Sequence, residues 1–278
     1  MRFSTTLLPF LPTIALAFQS APHPGLGVIW QDTFDGPAGA PPSGGWNIAQ
    51  DIHTNNEVQV YTTSNRNIQL SGGSTIQFVP WKNNGQWTSG RIESRATFTP
   101  APGKIMQMEA SIRLGDNAQK QGIWPAFWML GDSIHQGTPW PQCGELDIFE
   151  QVNGQLTGYG TAHCGVFPGG VCNESEGKAG TTGIPAGDGF HTWSIKIDRS
   201  SNDWTQEVIE WSMDGNVYHT LRGAELGDQG VWGTLAHSPL FIILNLAVGG
   251  DWPGAPNDAT QDGYGSMMEV GYVAVYSN

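Results

Sequence analysis

The chain is 278 residues long and carries a formal net charge of −13, from 25 acidic and 12 basic residues. Phosphate binding needs a basic face, which excludes nucleic acid as a partner, whereas a neutral polymer would not be repelled. Charged residues make up only 13%, Gly reaches 38 and Trp 12, and no long helical pattern runs through the chain, so the composition suits a turn-rich β protein with an aromatic-lined surface.

Met1-Arg2, the mostly apolar residues 7–17 and the small-x-small triplet Ala15-Leu16-Ala17 have the pattern of a cleaved signal peptide. The expectation is therefore a leader over residues 1–17, one catalytic domain over 18–278, and a secreted, extracellular protein. No apolar run reaches the roughly 20 residues that cross a bilayer, and the C-terminal residues lack the apolar tail of a lipid-anchor signal, so no membrane association is expected. Residues 35–45, rich in Gly and Pro, read as a loop. Ser71-Gly72-Gly73-Ser74 reads as a hairpin turn.

Period-two alternation follows. Ile92, Ser94, Ala96 and Phe98 alternate with Arg91, Glu93, Arg95 and Thr97. Met106, Met108, Ala110, Ile112 and Leu114 alternate with Gln107, Glu109, Ser111 and Arg113, and Trp193, Ile195 and Ile197 repeat the theme. Each reads as a half-buried strand. Asp214-Gly215 between two apolar runs is a strong hairpin signal. Leu240–Val248, nearly all apolar, reads as a strand covered on both faces. Many short antiparallel strands with frequent turns and no internal repeat imply an all-β sandwich or barrel. Of three cysteines, Cys164 and Cys172 bracket a Gly-rich loop and are the favoured disulfide pair, with Cys143 an alternative partner for either. No Cys/His cluster has zinc-ligand spacing. Asn173-Glu174-Ser175 is a glycosylation sequon, meaningful only in an exported chain.

The segment that carries chemistry is Cys143-Gly144-Glu145-Leu146-Asp147-Ile148-Phe149-Glu150. Glu145 and Asp147 share strand parity and point to one face. Glu150 falls on the other, unless a β-bulge within Ile148-Phe149 restores it. Three acids on one face repel one another, and crowding with burial raises the pKa of at least one. A retaining glycosidase needs that splitting: one ionised carboxylate and one protonated acid, about 5–5.5 Å apart. The bland alternative is a solvated acidic strand face or a cation site.

The E-x-D-x-x-E form of this strand resembles glycoside hydrolase family 16, in its laminarinase-type members. Four further elements carry the resemblance in the family's order: Asn55-Asn56-Glu57 with Tyr61-Thr62, Ser89-Gly90-Arg91-Ile92-Glu93-Ser94, the run from Gly122-Ile123-Trp124 to Trp128-Met129-Leu130, and Asn245-Leu246-Ala247-Val248-Gly249-Gly250-Asp251-Trp252-Pro253-Gly254. The resemblance implies a β-jelly-roll sandwich of two antiparallel sheets with a concave substrate cleft. It also implies a monomer that needs no cofactor and acts on a polysaccharide, β-1,3-glucan or mixed β-1,3/1,4-glucan. Alternatives are a β-1,3-galactan hydrolase, a wall-glucan transglycosylase, or a β-glucan-binding protein that has lost catalysis. By the same resemblance Glu145 is the nucleophile, Asp147 its helper and Glu150 the general acid/base.

Pyranose rings stack their C–H faces on indole planes while amides, Arg and His bond the hydroxyls. Trp124 and Trp252 are placed in the cleft; Trp128 and Ala126 face either the cleft or the core. Asn56 and Arg91 stand at family cleft positions, and a hairpin would bring His163 beside the acids. Asn245, in an apolar run, must be bonded to sugar or loop backbone, because an unpaired buried amide costs about 1–3 kcal/mol. Many family members hold a structural calcium through an Asp in the closing strand. Gly271 stands there in this chain, so no tightly bound metal is expected.

Overall fold

In the computed structural model, which describes residues 18–187 and 189–278, the period-two segments form two antiparallel sheets packed as a β-jelly-roll sandwich. The expected leader, residues 1–17, lies outside the described residues. The inner, seven-stranded sheet runs in the order Lys178–Gly183, Thr157–His163, Glu145–Glu150, Ile123–Gly131, Leu240–Val248, Arg91–Phe98 and Trp46–Ile48. The outer, eight-stranded sheet runs from Asn216–Arg222 through Val208–Met213, His191–Asp198, Ile105–Leu114, Met268–Ser277 and Ile76–Phe78 to Ile68–Leu70, with Gly27–Asp32 added against Met268–Ser277. A small three-stranded sheet contains the parallel pair Gln59–Tyr61 and Gln86–Ser89. Among the described residues no helix is long and apolar enough to cross a membrane.

Both expected hairpins form. Asp214 and Gly215 have φ of 49° and 76°, the left-handed pair that a two-residue turn between Met213 and Asn216 requires. The Ser71–Ser74 turn joins Leu70 to Ile76. Leu240–Val248 is buried along its whole length, as its apolar run implies. Ile105–Leu114 departs from expectation. Its apolar side faces the core, but Gln107, Glu109 and Ser111 on the other side are buried as well. The reason is the segment from Phe18 to Leu26, which crosses the outer face and packs on Tyr272, Ala274 and Tyr276. Glu109 there accepts from the Tyr272 hydroxyl at 2.6 Å and lies 2.9 Å from His23 Nε2. The same segment fills the place where a closing-strand Asp would stand: a Cβ on Gly271 would sit 2.5 Å from Phe18 Cδ1. A phenyl ring in contact with a glycine offers no oxygen ligands, so these residues do not fit a calcium site.

The bulge on the carboxylate strand is present. Phe127 pairs with Phe149 and Trp128 with Asp147, so Ile148 is the extra residue, and the register on the other side also shifts between Asp147 and Glu150. Leu146, Ile148 and Phe149 are all buried in the shared core. The outer sheet reaches through that core to the backbone of the bulge. Trp211 Nε1 donates to the Asp147 carbonyl at 2.7 Å, and the Tyr218 hydroxyl donates to the Ile148 carbonyl at 3.3 Å. Their approach depends on the neighbouring strand having no side chain in the way. A Cβ on Gly160 would lie 2.5 Å from both the Trp211 ring and the Tyr218 oxygen, and one on Gly158 would lie 2.3 Å from Trp193.

Trp211→Phe keeps a ring in the core but leaves the Asp147 carbonyl without its buried donor. A loss of about 1–3 kcal/mol is expected, or roughly 3–10 °C in Tm by thermal denaturation. An unchanged Tm would show that the bulge does not depend on this bond.

Candidate active site

With the bulge in place, the three acids share one face, and the register sets their neighbours. Leu130, Glu145 and His163 stand side by side, as do Trp128, Asp147 and Thr161. Across the next level run Arg91, Asn245, Ala126, Glu150 and Tyr159. Glu145 is half-buried, while Asp147 and Glu150 are buried.

Burial destabilises each charged form, and the neighbours divide the three acids. Glu150 is pushed up to about 7, mainly by desolvation; the Trp124 indole, which donates to its Oε1 at 2.9 Å, and His163 pull the other way. Asp147 is held well above the usual carboxylate range by desolvation, then by Glu150 and Glu145. Its Oδ2 is buried without a hydrogen-bond partner, and the nearest cationic atom is His163 Nε2 at 3.5 Å. Glu145 is raised by desolvation, but His163 and the Trp140 indole both favour its ionised form. The strand thus carries one acid that stays protonated to near neutrality and another whose charge is supported by an imidazole and an indole N–H. Groups this closely coupled titrate together. Glu145, Asp147 and His163 also offer ligand atoms within 4.8 Å of one another. A cation there would have to displace the proton that burial keeps on Asp147.

The other expected residues fall into three arrangements. At the Glu150 end, Trp124 and Trp252 meet edge to face at 5.6 Å, and Tyr159 packs on Trp252 at 4.9 Å. Trp252 remains 44% exposed, which leaves its ring free to stack on a ligand. Asn56 is exposed and donates to Asp251 at 2.7 Å, so it tethers the loop that carries Trp252. Trp128 lies on the cleft side of its strand, packed with Leu130, Phe241 and Ile243 and not in the main core. Beside it Arg91 stacks at 4.9 Å, with its Nε and Nη2 both bonded to Glu93 at 2.9 and 2.8 Å. Asn245 is bonded within the protein to side chains and not to loop backbone: its Oδ1 accepts from Trp128 at 2.7 Å and its Nδ2 donates to the Tyr61 hydroxyl at 3.1 Å. The partners are side chains from the adjacent strand and the small sheet, which the sequence pattern does not bring together. Arg91 and Asn245 are therefore parts of the cleft floor. His163 pairs directly with Glu145 across the ladder, as the hairpin implied.

Three contributors went unassigned in the sequence. Trp140, 38% exposed, lies 5.6 Å from the His163 ring and 6.3 Å from Phe167, giving the Glu145 end an aromatic plane of its own. Tyr159 was legible only through its register with Glu150. Glu174, buried in the loop after the second cysteine, binds His163 at 2.7 Å. The disulfide is the favoured pair, Cys164–Cys172, and Cys143 is buried and free.

Three crowded acids, all raised by burial but opposed by different neighbours, between exposed aromatic planes on the face of a jelly roll define a class: the glycoside hydrolases of that fold. Comparison with known families gives the particular member of the class. Residues 48–269 match the glycosyl hydrolases family 16, and the chain belongs to that family. It is 30% identical over 270 residues to a β-glucanase of Rhodothermus marinus, covering 92% of this chain and 86% of that one. It is 32% identical over 283 residues to a glucan endo-1,3-β-glucosidase of Cryptopygus antarcticus, covering 94% and 95%. Among solved structures, an endo-1,3-β-glucanase from Streptomyces sioyaensis superposes with a TM-score of 0.87 at 35% identity, covering 94% of this chain and 99% of that one.

Activity that needs a protonated Glu150 is expected to fall as pH rises through about 7. Trp124→Phe removes a donor that favours the carboxylate, so the proton is held to higher pH and the alkaline limb of kcat/KM moves up. A limb that stays in place or moves down would remove Trp124 from this role.

Proposed function

We propose that the chain is a secreted endo-β-1,3-glucanase, active also on mixed β-1,3/1,4-glucan, that works as a monomer by a retaining double displacement. One observation carries the chemistry: on a single strand face Glu150 keeps its proton to about 7 while the charge of Glu145 is favoured by His163 and Trp140. In the first step Glu145 attacks the anomeric carbon as Glu150 gives its proton to the glycosidic oxygen. The carbon–oxygen bond breaks and a glycosyl ester forms on Glu145. In the second step Glu150, now ionised, takes a proton from water, and the hydroxide opens the ester from the opposite side. The two inversions retain the β configuration. Asp147, held well above the usual carboxylate range, stays protonated and so limits repulsion along the strand.

Endo action is supported by aromatic planes on both sides of the acids, Trp140 at one end and Trp252 with Tyr159 at the other. These let a polymer lie through the site with its apolar ring faces covered. The β-glucan substrate is supported by the activities of the relatives and the solved neighbour. All the acids come from one chain, so one copy suffices. Export is supported by the leader pattern, and Asn173 of the sequon is exposed.

Incubation with laminarin, barley mixed-linkage glucan and β-1,3-galactan is expected to release short glucose oligomers from the first two, with the β anomer forming first by NMR. Galactose oligomers alone would overturn the substrate, and an initial α anomer would overturn the double displacement. Glu145→Gln is expected to lose at least about 10³-fold in kcat with unchanged circular dichroism. Glu150→Ala should slow laminarin far more than an aryl glycoside with a good leaving group. Equal losses on both would remove Glu150 from the acid role.

A further inference from the structure

Glu174 is a charged residue for which the chemistry above has no use. It follows the disulfide-closed loop Cys164–Cys172 and its side chain has 0% exposure. Burying a carboxylate without partners is strongly unfavourable, so its contacts show what the fold holds it for. There are two: Oε1 accepts the Cys164 N–H at 2.7 Å, and Oε2 meets His163 Nδ1 at 2.7 Å. Among the described residues His163 is its only ion-pair partner. The ring has little freedom. Trp140 packs on it at 5.6 Å, and Gly177 comes so close that an added Cβ would be 2.9 Å from His163 Cε1. Its far nitrogen, Nε2, stands 3.5 Å from Asp147 Oδ2, an oxygen with no other partner.

We propose that Glu174 is a positioning residue of the active site, which through His163 fixes one imidazole tautomer and orientation against Asp147 and Glu145. The proposal rests on the hydrolase reading above. With Glu174 accepting at Nδ1, that nitrogen carries a hydrogen, and Nε2 alone is turned to the acids. Both nitrogens protonated make the ring a cation facing three carboxyl groups. Burial alone would lower the His163 pKa, but Glu174 and Glu145, with Glu150 behind them, raise it overall. The groups facing the ring are thus Glu145, Asp147 and Glu150 from the carboxylate strand, Glu174 from just beyond the disulfide-closed loop, and the uncharged Trp140.

The consequence has a sign. The His163 cation favours the ionised forms of Glu145 and Glu150, and its effect on Glu145 exceeds the opposite push of the more remote Glu174 charge. Replacing Glu174 by Gln keeps the shape of the side chain but removes the reason for His163 to hold its second proton. Glu145 and Glu150 then both keep protons to higher pH. Neutralising a buried structural carboxylate without this relay would lower Tm and leave the pH profile where it was.

The test is Glu174→Gln in the full chain, followed in two ways. The pH profile of kcat/KM on laminarin is expected to move up on both limbs by about half a pH unit or more, and kcat to fall about 10-fold or more with little change in KM. NMR titration of the His163 ring should show it losing its second proton at lower pH than in the wild type, whatever the substrate. His163→Gln should move the limbs in the same direction, and the double variant should add nothing further. A superposable pH profile and an unmoved His163 titration in Glu174→Gln would overturn the proposal. Wild-type protein inert on laminarin but with the expected shift in the His163 titration would overturn the substrate and leave the relay standing.

Discussion

The rest of the site depends on one extra residue in one strand. Regular alternation would send Glu150 into the core, where an isolated carboxyl group is expensive, and would put an apolar side chain on the sugar face. The bulge at Ile148 reverses that and lets Ile148 and Phe149 both enter the core. A bulge disrupts its ladder, and the outer sheet supplies the missing order: Trp211 and Tyr218 bond the Asp147 and Ile148 carbonyls from the far side of the core. They come close enough because Gly158 and Gly160 present no side chains. The second sheet is therefore more than a hydrophobic backing. It fixes the backbone from which the acids project.

Given that backbone, electrostatics does the sorting. Three acids in a dry setting cannot all be ionised, and the cheapest arrangement leaves protons where no cation or donor opposes them. Asp147 has the two flanking acids against it and no hydrogen bond at Oδ2. Glu145 has His163 and Trp140 on its side. Glu150 sits between these extremes, with one indole donor. The order of charge along the strand is set by what the adjoining strand and loops hold against each acid, since two of the three are the same residue type.

Around the acids, the polar floor is cross-braced and the aromatic rim is partly open. Trp128, Asn245, Tyr61, Arg91 and Glu93 satisfy one another, so no buried polar atom among them needs a ligand to be stable. Trp252 and Trp140 keep faces toward solvent, and the loops that carry them are tied by Asn56 to Asp251 and by packing on His163. A pre-formed, open platform of this kind loses little order when a sugar chain binds.

Much of this is legible in the sequence, because short-range rules write it there. Alternation gives the strands, Asp214-Gly215 gives its hairpin, and Cys164 and Cys172 are too near in the chain to be far apart in space. Even the bulge follows from Glu145, Asp147 and Glu150 once all three must share a face. Long-range contacts leave no such local trace. The burial of Gln107 and Glu109 depends on a segment about eighty residues earlier, and Asn245 finds its partners on a neighbouring strand and a separate small sheet. Glu174 reads as the middle of a sequon until the loop folds back on His163. The sequence by itself determined which acids stand on the strand and, through the bulge they require, the face they share. Tertiary structure alone decided which of them keeps its proton, because that depends on groups brought alongside from distant parts of the chain.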